Sequence, residues 1–589
     1  MADFKEIWKH RIAGALNALL AEADSTERID TASVSAEYPP RPEQGDLGFP
    51  MFAFAKKLKK SPQLIAAGIA ARFAAASDAT GQGGEEVFAL GPYVNVRLNR
   101  GESAAALLSE LLDRSKPAGR PETLVGSRIM VEFSSPNTNK PLHLGHLRND
   151  VLGESVSRIL KAAGAELRKV CIFNDRGIHI CKSMLAYKEQ GAGKTPESEG
   201  IKSDHFVGDF YVAFHRMAAG DTAVEERARE LLRKWEAGDE ETTALWRTMN
   251  QWAVDGMKAT YARTGVSFDQ YYFESQTYLL GKEEVLKGLE AGIFYRAGDG
   301  SVWVDLSAEN LDKKVLLRKD GTSIYITQDI GTAIYRHEDW AFDRLVYVVG
   351  SEQQYHFQVL FTILKKLRFP WAKDLYHLSY GMVNLPDGKM KSREGTVVDA
   401  DDLIDSLKEM ALAEIRKKER EEEVGDPLAV AEKIALGALH YYLLSVSPAK
   451  DMLFNPQESL SFNGNTGPYL QYMGARISSM LQKAGAQGLA ADGPFNAALL
   501  SGDAEWELVK ILGNYRAAVA QAAETLDSSV LATYLYELSK AFSRFYHDCP
   551  ILNAPSAELG AARLALSRAV LRVLRDAFEL VCIPFLETM

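Results

Sequence analysis

The strongest constraint on the fold is an alternation of short β-branched runs with helix-like segments between residues 129 and 400. Helical patterns separate most of these strand-like runs, which are RIMVEFSS, RKVCIFND, SIYITQD, DRLVYVVGSE and YHLSYGMVNL. Strands that alternate with helices predict a parallel sheet with crossover helices. We therefore expect a Rossmann-like, doubly wound parallel sheet in this part of an α/β protein.

The rest of the chain indicates further domains. Two amphipathic helix patterns near the N-terminus, followed by the strand-like EVFALGPYVNVRLN, predict a small α+β domain. A segment rich in Pro, Gly and charge then predicts a linker, and the C-terminal part shows helical patterns without a convincing strand. We expect an α+β domain at 1–112, a linker at 113–128, the sheet domain at 129–400 with a helical insertion at 183–265, a connection at 401–449 and an all-α helical bundle at 450–589.

The composition excludes several classes of protein. The 589-residue chain has a formal net charge of −11, which argues against a generally basic nucleic-acid coat protein but allows a local basic face. The four cysteines stand singly, so the sequence predicts neither a structural metal site nor a disulfide framework, and a reducing cytoplasm fits. Because no run of 18 apolar residues occurs, we expect a soluble, cytosolic protein.

One short stretch, HLGH at residues 143–146, stands between a predicted strand and a predicted helix. Open α/β sheets bind ligands at this position, and a helix N-terminus offers unpaired N–H groups to a phosphate. His143 and His146 can add imidazole donors that stabilise charge growing on an α-phosphate, and Gly145 leaves room for a flat ring. The same letters also suit a structural turn in which His143 caps the helix. The context of strand, turn and helix favours a nucleotide site.

A second motif, GKMKSREGTVVD at residues 388–399, follows the last predicted strand, in a loop region at 381–400. Lysines on such a glycine-flanked loop can close on the β- and γ-phosphates and balance a leaving pyrophosphate. Lys389 and Lys391 are the candidates for this role. In this order, the two motifs resemble the HIGH and KMSKS signatures of the class I aminoacyl-tRNA synthetases.

Further stretches resemble one branch of that class, the arginyl-tRNA synthetase family. They are FSSPNTNKPLHLGHLRN, IFNDRGIHI, YYFESQTY, YITQDIGTAIYR, YVVGSEQQYHFQ and NTGPYLQYMGARI, and the likeness covers nearly the whole chain. The resemblance implies a ligase that activates L-arginine with ATP to arginyl-adenylate and transfers the arginyl group to its tRNA. It also implies Mg²⁺ accompanying ATP, a monomer, activation that requires bound tRNA, and a connection at 401–449 that contacts the tRNA stem.

The chemistry of arginine, the implied substrate, suggests which residues recognise it. Arginine presents a planar, permanently charged fork of donors, so a selective pocket needs carboxylates and carbonyl oxygens in its plane. By resemblance to the family, Glu274, Asp329 and the Tyr325 hydroxyl face the guanidinium. Asn137 and Gln353 are implied to orient the α-amino and carboxyl end. Outside their motifs, Tyr325 suits a half-buried strand aromatic and Glu274 a solvated loop charge.

The second signature departs from the family pattern. Aligned without a gap, Ser392 replaces the second lysine of KMSKS, so one cation near the leaving pyrophosphate is missing. Many arginine enzymes share this loss and carry a lysine just before the first signature, where this chain has Lys140. We hypothesise that Lys140 supplies the missing charge. Two alternatives stay open: Lys140 is a surface lysine, or a gapped alignment makes Lys391 the second lysine.

Candidate tRNA contacts rest on aromatic and polar residues at both ends of the chain. Tyr472 resembles the position where the family places an aromatic ring against the anticodon loop, whose splayed bases stack on such rings. Arg476 is a weaker candidate on the same predicted helix. Tyr93 and Asn95, in the N-terminal domain, are candidate readers of bases at the outer corner of the tRNA.

Three arginines also fall on one face of a predicted C-terminal helix: Arg568, Arg572 and Arg575. Such a stripe suits a phosphate backbone and equally suits a solvated helix face. Three rival functions are a class I synthetase for another amino acid, a small-molecule adenylyltransferase with the same HxGH turn, and a non-catalytic RNA-binding paralogue. Zinc-type Cys clusters and a long editing insertion, both typical of other class I branches, are missing from the sequence.

Overall fold

The computed structural model describes residues 4–80, 85–191, 193–384, 386, 398–422, 424–489 and 493–589. The chain divides into two compact units, each built from distant parts of the sequence. The first unit comprises Met1–Gly119, Arg476–Ala518 and Tyr536–Asp576, and the second comprises Arg120–Ala475, Val519–Leu535 and Ala577–Met589. Among the described helices, none is long and apolar enough to span a bilayer.

The N-terminal region combines helices with a three-stranded antiparallel sheet of order β1-β3-β2. Its elements are α1 (Phe4–Glu22), β1 (Leu47–Pro50), α2 (Ala55–Leu58), α3 (Pro62–Thr80), β2 (Glu86–Leu90), β3 (Tyr93–Arg97) and α4 (Arg100–Leu112). The stretch EVFALGPYVNVRLN is therefore a hairpin. Gly91 turns the chain between β2 and β3 with a φ of 59°, a conformation that glycine adopts without strain.

The chain then enters the central sheet and a helical insertion. Its elements are β4 (Arg128–Glu132), α5 (Leu144–Ala162), β5 (Glu166–Phe173), α6 (Ile178–Gln190), α7 (Pro196–Glu199), α8 (Ser203–Ala218), α9 (Thr222–Glu236), α10 (Glu240–Thr264) and β6 (Gln270–Phe273). The insertion has a hydrophobic core of its own, which includes Met184, Phe214 and Met249. It is therefore a packed helical body inserted between two strands of the sheet.

The second half of the sheet region adds a small antiparallel sheet of order β7-β8-β9. The elements are α11 (Glu274–Thr277), α12 (Lys282–Glu290), β7 (Tyr295–Arg296), β8 (Val302–Val304), β9 (Lys314–Leu317), α13 (Tyr325–Asp339), β10 (Arg344–Gly350), α14 (Gln354–Lys366), β11 (Leu375–Tyr380) and β12 (Val383–Asn384). The run SIYITQD was predicted to be a strand, and this prediction is wrong. Its apolar residues continue at helical spacing through Ile326, Ile330 and Ala333, which are buried on one face of α13.

The remaining elements are helical apart from one short strand. They are α15 (Ala400–Lys417), α16 (Pro427–Leu444), β13 (Met452–Leu453), α17 (Pro456–Ser459), α18 (Gly467–Ala486), α19 (Asp503–Gly513), α20 (Tyr515–Thr525), α21 (Ser529–Asp548) and α22 (Ala557–Leu580). In the first unit, the Asp46 carboxylate accepts hydrogen bonds from the Leu98 backbone and, at 2.6 Å, from Trp506 Nε1. N-terminal and C-terminal segments are thereby joined within that unit.

The central sheet has five parallel strands in the order β11-β10-β4-β5-β6. Parallel strands need helical crossovers, so both faces are covered and the strands are apolar. Helix α5 is almost enclosed, with 15 of its 19 residues buried. At Gly153 an added Cβ would stand 2.2 Å from the Phe133 ring, so only glycine allows this approach. The predicted fold class is confirmed: the chain contains a parallel-sheet domain, preceded in sequence by an α+β region and followed by a helical region.

Candidate active site

The HLGH turn lies after β4, at the carboxyl edge of the central sheet, where His143 caps α5 and the next three residues form the first turn of that helix. The chain leaves β4 through Ser134 and Ser135, which both adopt left-handed conformations with φ values of 68° and 50°. Asn149 holds this exit: its Oδ1 accepts from the Ser134 N–H at 2.5 Å, and its Nδ2 donates to the Val348 carbonyl at 2.8 Å. The ends of β4 and β10 are thus fixed beside the start of α5, where open sheets bind ligands.

The two imidazoles satisfy the first backbone N–H groups of α5. His143 Nδ1 accepts from the Gly145 N–H at 3.1 Å, and His146 Nδ1 accepts from the His143 N–H at 3.1 Å. The ring centroids are 3.8 Å apart. An added Cβ at Gly145 would stand 3.0 Å from His143 Cε1, so the glycine makes room for its neighbour's ring. His143 therefore caps the helix and still keeps one ring nitrogen for another partner.

Both histidines are neutral near pH 7. Burial and the Lys140 charge lower the pKa of His143 to about 4. Burial, then His143 and Lys140, hold the pKa of His146 well below its usual value. A neutral imidazole carries one N–H, and each Nδ1 already accepts a hydrogen bond, so each ring carries its proton on Nε2. The turn offers two fixed, uncharged donors.

Lys140 lines a cleft of about 170 Å³ together with His143, His205, Asp209 and Asp399. Burial lowers the pKa of Lys140. Its charge lies close enough to both imidazoles to lower their pKa values, so the three side chains surround one region. This juxtaposition fits a polyanion held by an ammonium group and N–H donors. The predicted phosphate-binding Lys389 and Lys391 lie outside the described residues.

Glu274 lies at the carboxyl end of β6, a strand that the sequence patterns missed. Asp175, which follows β5, positions it: the Asp175 carboxylate accepts from the Ser275 N–H at 2.8 Å and from the Ser275 hydroxyl at 2.7 Å. The insertion supports Asp175 in turn, because Trp246 Nε1 donates to its carbonyl at 2.7 Å. Glu274 thus starts α11 on a rigidly tied backbone.

The carboxyl group of Glu274 titrates near neutrality. Burial raises its pKa to about 7, Arg176 opposes this rise, and the charges of Asp175 and Asp329 add to it. Neighbouring acids that raise the pKa of Glu274 favour an added cation in their midst. Arg176 is committed elsewhere: it pairs with Glu236 at 2.6 Å and lies 4.0 Å over the Tyr278 ring. The arrangement suits a second guanidinium, supplied by a ligand.

Asp329 and Tyr325 lie one turn apart at the start of α13. His356 Nε2 lies 2.6 Å from Asp329 Oδ2, an interaction that the sequence did not suggest. The Tyr325 side chain is 76% exposed, at the N-terminus of a helix rather than in a strand. Because this segment is a helix and not the predicted strand, Tyr325 and Asp329 lie on the same face.

Asn137 and Gln353, which are predicted to bind the α-amino and carboxyl end of arginine, are both exposed. Asn137 forms an isolated parallel bridge with Asn174, and Asn174 Nδ2 donates to the Ser135 carbonyl at 2.9 Å. The loops after β4 and β5 are thereby joined. Gln353 lies in a short turn between β10 and α14. Both residues follow strands of the sheet at its carboxyl edge.

Tyr472, on α18, lines a cavity of about 520 Å³ within the second unit. Lys418, Arg420 and Phe462 share its wall, and the Lys418 ammonium lies 3.9 Å over the Phe462 ring. The Arg420 guanidinium donates to the carbonyl of Met589. Aromatic rings beside cations suit a nucleobase and its phosphate.

In the first unit, the predicted N-terminal contacts differ in exposure. Tyr93 is half-buried and lies edge-on to Phe52, whose centroid is 5.9 Å away. Phe52 is 56% exposed, so this aromatic pair faces solvent. Asn95 is only 3% exposed, and its side chain lies close to Gly48 across the sheet. In this conformation Asn95 does not present its amide to a base.

The predicted arginines are held to different degrees. Arg572 donates to three backbone carbonyls of the first unit, those of Leu111, Asp113 and Lys116. It therefore fixes the end of α4 and does not extend toward solvent. Arg476 lies 4.2 Å over the Tyr546 ring. The other two members of the stripe are half-buried Arg568 and exposed Arg575.

A group of possible metal ligands lies near the HLGH turn: Asp204, His205 and Asp401. Lys202 Nζ lies 2.9 Å from Asp204 Oδ2 and 2.8 Å from Asp401 Oδ2. An ammonium group therefore takes the place that a cation would fill. The four cysteines are unpaired and buried. For Cys171 and Cys181, burial raises the thiol pKa, which is typical of inert core residues.

Comparisons with known proteins give matches over nearly the whole chain. Residues 108–456 match the family described as "tRNA synthetases class I (R), catalytic domain", residues 6–98 match "Arginyl tRNA synthetase N terminal domain", and residues 470–589 match "DALR anticodon binding domain". An arginine–tRNA ligase of Treponema denticola is 58% identical over the full length of both chains. One of Porphyromonas gingivalis is 44% identical over 98% of each.

A solved structure shows the same fold. The Thermus thermophilus arginyl-tRNA synthetase superposes with a TM-score of 0.81 at 27% identity, and the match covers 99% of this chain and 100% of that one. The family matches, the full-length relatives and the ligand edge of the sheet point the same way, and the predicted resemblance is confirmed. The chain belongs to the arginyl-tRNA synthetase family of class I aminoacyl-tRNA synthetases.

Proposed function

We propose that this chain is an arginine–tRNA ligase, which activates L-arginine with ATP and transfers it to tRNA(Arg). One observation supports this above all: two neutral Nε2–H imidazoles, His143 and His146, share a sheet edge with Glu274 and Asp329. The first pair suits a phosphate and the second suits a guanidinium. Full-length relatives named arginine–tRNA ligase support the same activity.

In the first step, an oxygen of the arginine carboxylate attacks the α-phosphorus of ATP. The bond from that phosphorus to the bridging oxygen breaks, and pyrophosphate leaves with Mg²⁺ as part of the substrate complex. His143 and His146 donate from Nε2 to the α-phosphate oxygens as negative charge grows there. Lys140 balances the departing pyrophosphate from the cleft, whereas roles for Lys389 and Lys391 stay predictions from the sequence.

In the second step, a hydroxyl group of the terminal ribose of the tRNA attacks the carbonyl carbon of arginyl-adenylate. AMP leaves, and no protein residue forms a covalent bond. Catalysis then consists of positioning and charge stabilisation, which can supply large rate enhancements without a nucleophile. We further propose that activation requires bound tRNA, as the resemblance implies.

The guanidinium side accounts for selectivity. Glu274 and Asp329 accept from the fork of donors, and the Tyr325 hydroxyl completes its surroundings. Asn137 and Gln353 hold the α-amino and carboxyl end. A lysine side chain cannot pair with all of these acceptors, and a buried acceptor without a partner costs binding free energy.

On the tRNA side, we propose that the Tyr472 cavity takes an anticodon-loop base. The Tyr93 and Phe52 pair contacts the outer corner of the tRNA, and 401–449 contacts the stem. Arg476, Arg568 and Arg575 contribute charge near the tRNA backbone. The proposed domain bounds are those expected from the sequence. We also propose that the protein acts as a monomer in the cytoplasm.

Pyrophosphate exchange tests the function directly. Each of the twenty amino acids is incubated with ATP, Mg²⁺ and labelled pyrophosphate, with and without tRNA(Arg). We expect exchange with arginine alone, and only when tRNA is present. Exchange with another amino acid would assign a different synthetase, and exchange without any tRNA would contradict the proposed order of binding.

The tRNA surface has a separate test. Tyr472→Ala should raise the KM for tRNA about tenfold in aminoacylation, because base–aromatic stacking contributes roughly 1–3 kcal/mol. The KM for arginine should not change. Tyr295→Ala is the matched control, since Tyr295 is an exposed tyrosine on β7 with similar accessibility. Equal tRNA KM values for the two variants would exclude the Tyr472 cavity as a base site.

A further inference from the structure

Helix α8 of the insertion packs directly against the residues that lead into the HLGH turn. An added Cβ at Gly208 would stand 2.7 Å from Pro141 Cδ and 3.5 Å from Lys140 Cα. No side chain separates the helix backbone from the turn at this point. His205, one turn earlier on α8, lines the same cleft as Lys140 and His143. The insertion therefore forms one wall of the proposed phosphate site.

His205 contacts an acid that belongs to another segment. Its Nε2 lies 3.3 Å from Asp399 Oδ1 and 3.9 Å from Asp401 Oδ2. Asp401 has other cationic partners, Lys202 at 2.8 Å and Arg263 at 3.2 Å. Among the described residues, Asp399 forms an ion pair with His205 only. Asp399 Oδ1 also accepts from the Asp401 N–H at 2.8 Å and so caps α15.

The backbone on both sides of Asp399 holds the HLGH turn. Asp399 and His143 face each other in an isolated antiparallel bridge. The Leu144 N–H donates to the Val398 carbonyl at 3.2 Å, and the Ala400 N–H donates to the Leu142 carbonyl at 3.0 Å. A displacement of Asp399 would therefore move the backbone that carries the His143 ring.

His205 is the cationic member of this ion pair at neutral pH. The carboxylates of Asp399 and then Asp401 raise its pKa to about 10, and burial opposes this rise. The other charges near it are Asp204, which adds to the rise, and Asp209, whose own pKa is raised by burial against the opposing charge of His205. An imidazolium this close to two carboxylates attracts both, and partial burial makes the attraction stronger than it would be in water.

We propose that His205 is a positioning residue for arginine activation, because its ion pair with Asp399 fixes the backbone opposite His143. The inference rests on the proposed function and adds a task for the insertion. The His143 ring must meet the α-phosphate in the transition state, and a misplacement of about 1 Å can cost roughly 10²-fold in rate. His205 acts through Asp399 and need not touch the substrate.

The test measures tRNA-dependent pyrophosphate exchange for His205→Gln, His205→Lys, Asp399→Asn and the double variant His205→Gln/Asp399→Asn. We expect His205→Gln to lower kcat about tenfold and to leave the arginine KM within twofold, because Glu274 and Asp329 lie elsewhere on the sheet edge. His205→Lys, which keeps a cation, should recover most of the lost kcat. The double variant should be no slower than Asp399→Asn, since both changes break one interaction.

His215→Gln is the matched control, since His215 lies on the same helix and does not line the cleft. It should keep wild-type kcat. A wild-type kcat in His205→Gln, additive losses in the double variant, or no recovery with His205→Lys would each overturn the inference while leaving the proposed function intact. Wild-type protein without arginine-dependent exchange would overturn the proposed function, and this inference with it.

Discussion

The proposed phosphate side, at the HLGH turn, and the proposed guanidinium side, at Glu274 and Asp329, have opposite electrostatic arrangements. At the HLGH turn, His143 and His146 are uncharged, and backbone N–H groups fix their tautomers. At the other side, Glu274 is an acid whose charge depends on its neighbours and on pH. The first side is fixed before a ligand arrives, whereas the second is completed by the ligand's charge.

The difference follows from the ligands. A triphosphate already carries negative charge and magnesium, so donors of fixed direction stabilise the transition state without a further change of charge. A guanidinium never loses its proton, so Glu274, whose pKa other acids help to raise, remains partly protonated until the guanidinium binds. Rate should therefore depend on the phosphate side, and the affinity for arginine should depend on the guanidinium side.

The largest effect is expected at the guanidinium side. Glu274→Gln should lower kcat/KM for arginine by about 10³-fold, because the loss of one partner of a buried charge pair costs about 4 kcal/mol. Pyrophosphate exchange at varied arginine concentration measures it. Glu283→Gln, an exposed acid on α12, is the control and should behave as wild type. A similar loss in both variants would remove Glu274 from the arginine site.

The next effect should appear in kcat. His143→Ala removes one fixed donor and should lower kcat about 10²-fold, as the loss of an oxyanion donor does in other enzymes. The arginine KM should remain within threefold. His547→Ala serves as the control, because that side chain is exposed. If His143→Ala changed the arginine KM and spared kcat, the proposed division of tasks between the two sides would be wrong.

A third effect separates the two sides by pH. Glu274 has a pKa of about 7, and only its ionised form pairs with a guanidinium. The arginine KM should therefore be about tenfold higher at pH 6 than at pH 8. The pKa of His143, about 4, should leave kcat flat over this range. Glu274→Gln should abolish the pH dependence of KM; a slope that persisted in this variant would point to another group.

The smallest effect concerns Asp150, a buried acid on α5, the helix that begins at the HLGH turn. Burial raises the pKa of Asp150 on α5 to about 8, against about 3.9 in an unfolded chain. A folded-state pKa above the unfolded value means that stability is lost as pH rises from about 4 toward 8. Asp150→Asn should raise Tm at pH 8 by roughly 2–4 °C and leave Tm at pH 4 unchanged.

Thermal unfolding at both pH values measures this difference. A Tm at pH 8 equal to that of wild type would mean that Asp150 is not destabilising when ionised. Arginine KM should be normal in the variant. A raised Tm with a normal arginine KM would show that two acids with raised pKa values act on different quantities. Glu274 would set the affinity for arginine, and Asp150 would affect stability.

Local patterns predicted part of the fold well. The strand, turn and helix around HLGH are encoded within a short stretch, and the charged, tryptophan-bearing segment at 183–265 indicated the helical insertion. The run SIYITQD misled because β-branched residues favour strands, whereas the buried spacing from Ile326 to Ala333 is helical. Strand β6 was missed because it has only four residues and begins soon after a long helix.

The candidate site residues also divide into those that motifs predicted and those that only the fold revealed. Motifs supplied Lys140, His143 and His146. The partners that set their behaviour come from far along the chain, as His205 and Asp399 do. Periodicity placed Arg572 on a helix face, but only the fold could reveal that its guanidinium holds carbonyls near the end of α4.

The sequence by itself determined the class of fold, the family and the candidate side chains for a nucleotide and a guanidinium, because those features depend on short motifs and on periodicity. The tertiary structure alone decided charge and direction: neutral Nε2–H imidazoles, a Glu274 poised near neutrality, and an insertion that reaches Asp399. Burial and long-range ion pairs set these properties, and both depend on which distant segments fold against each other.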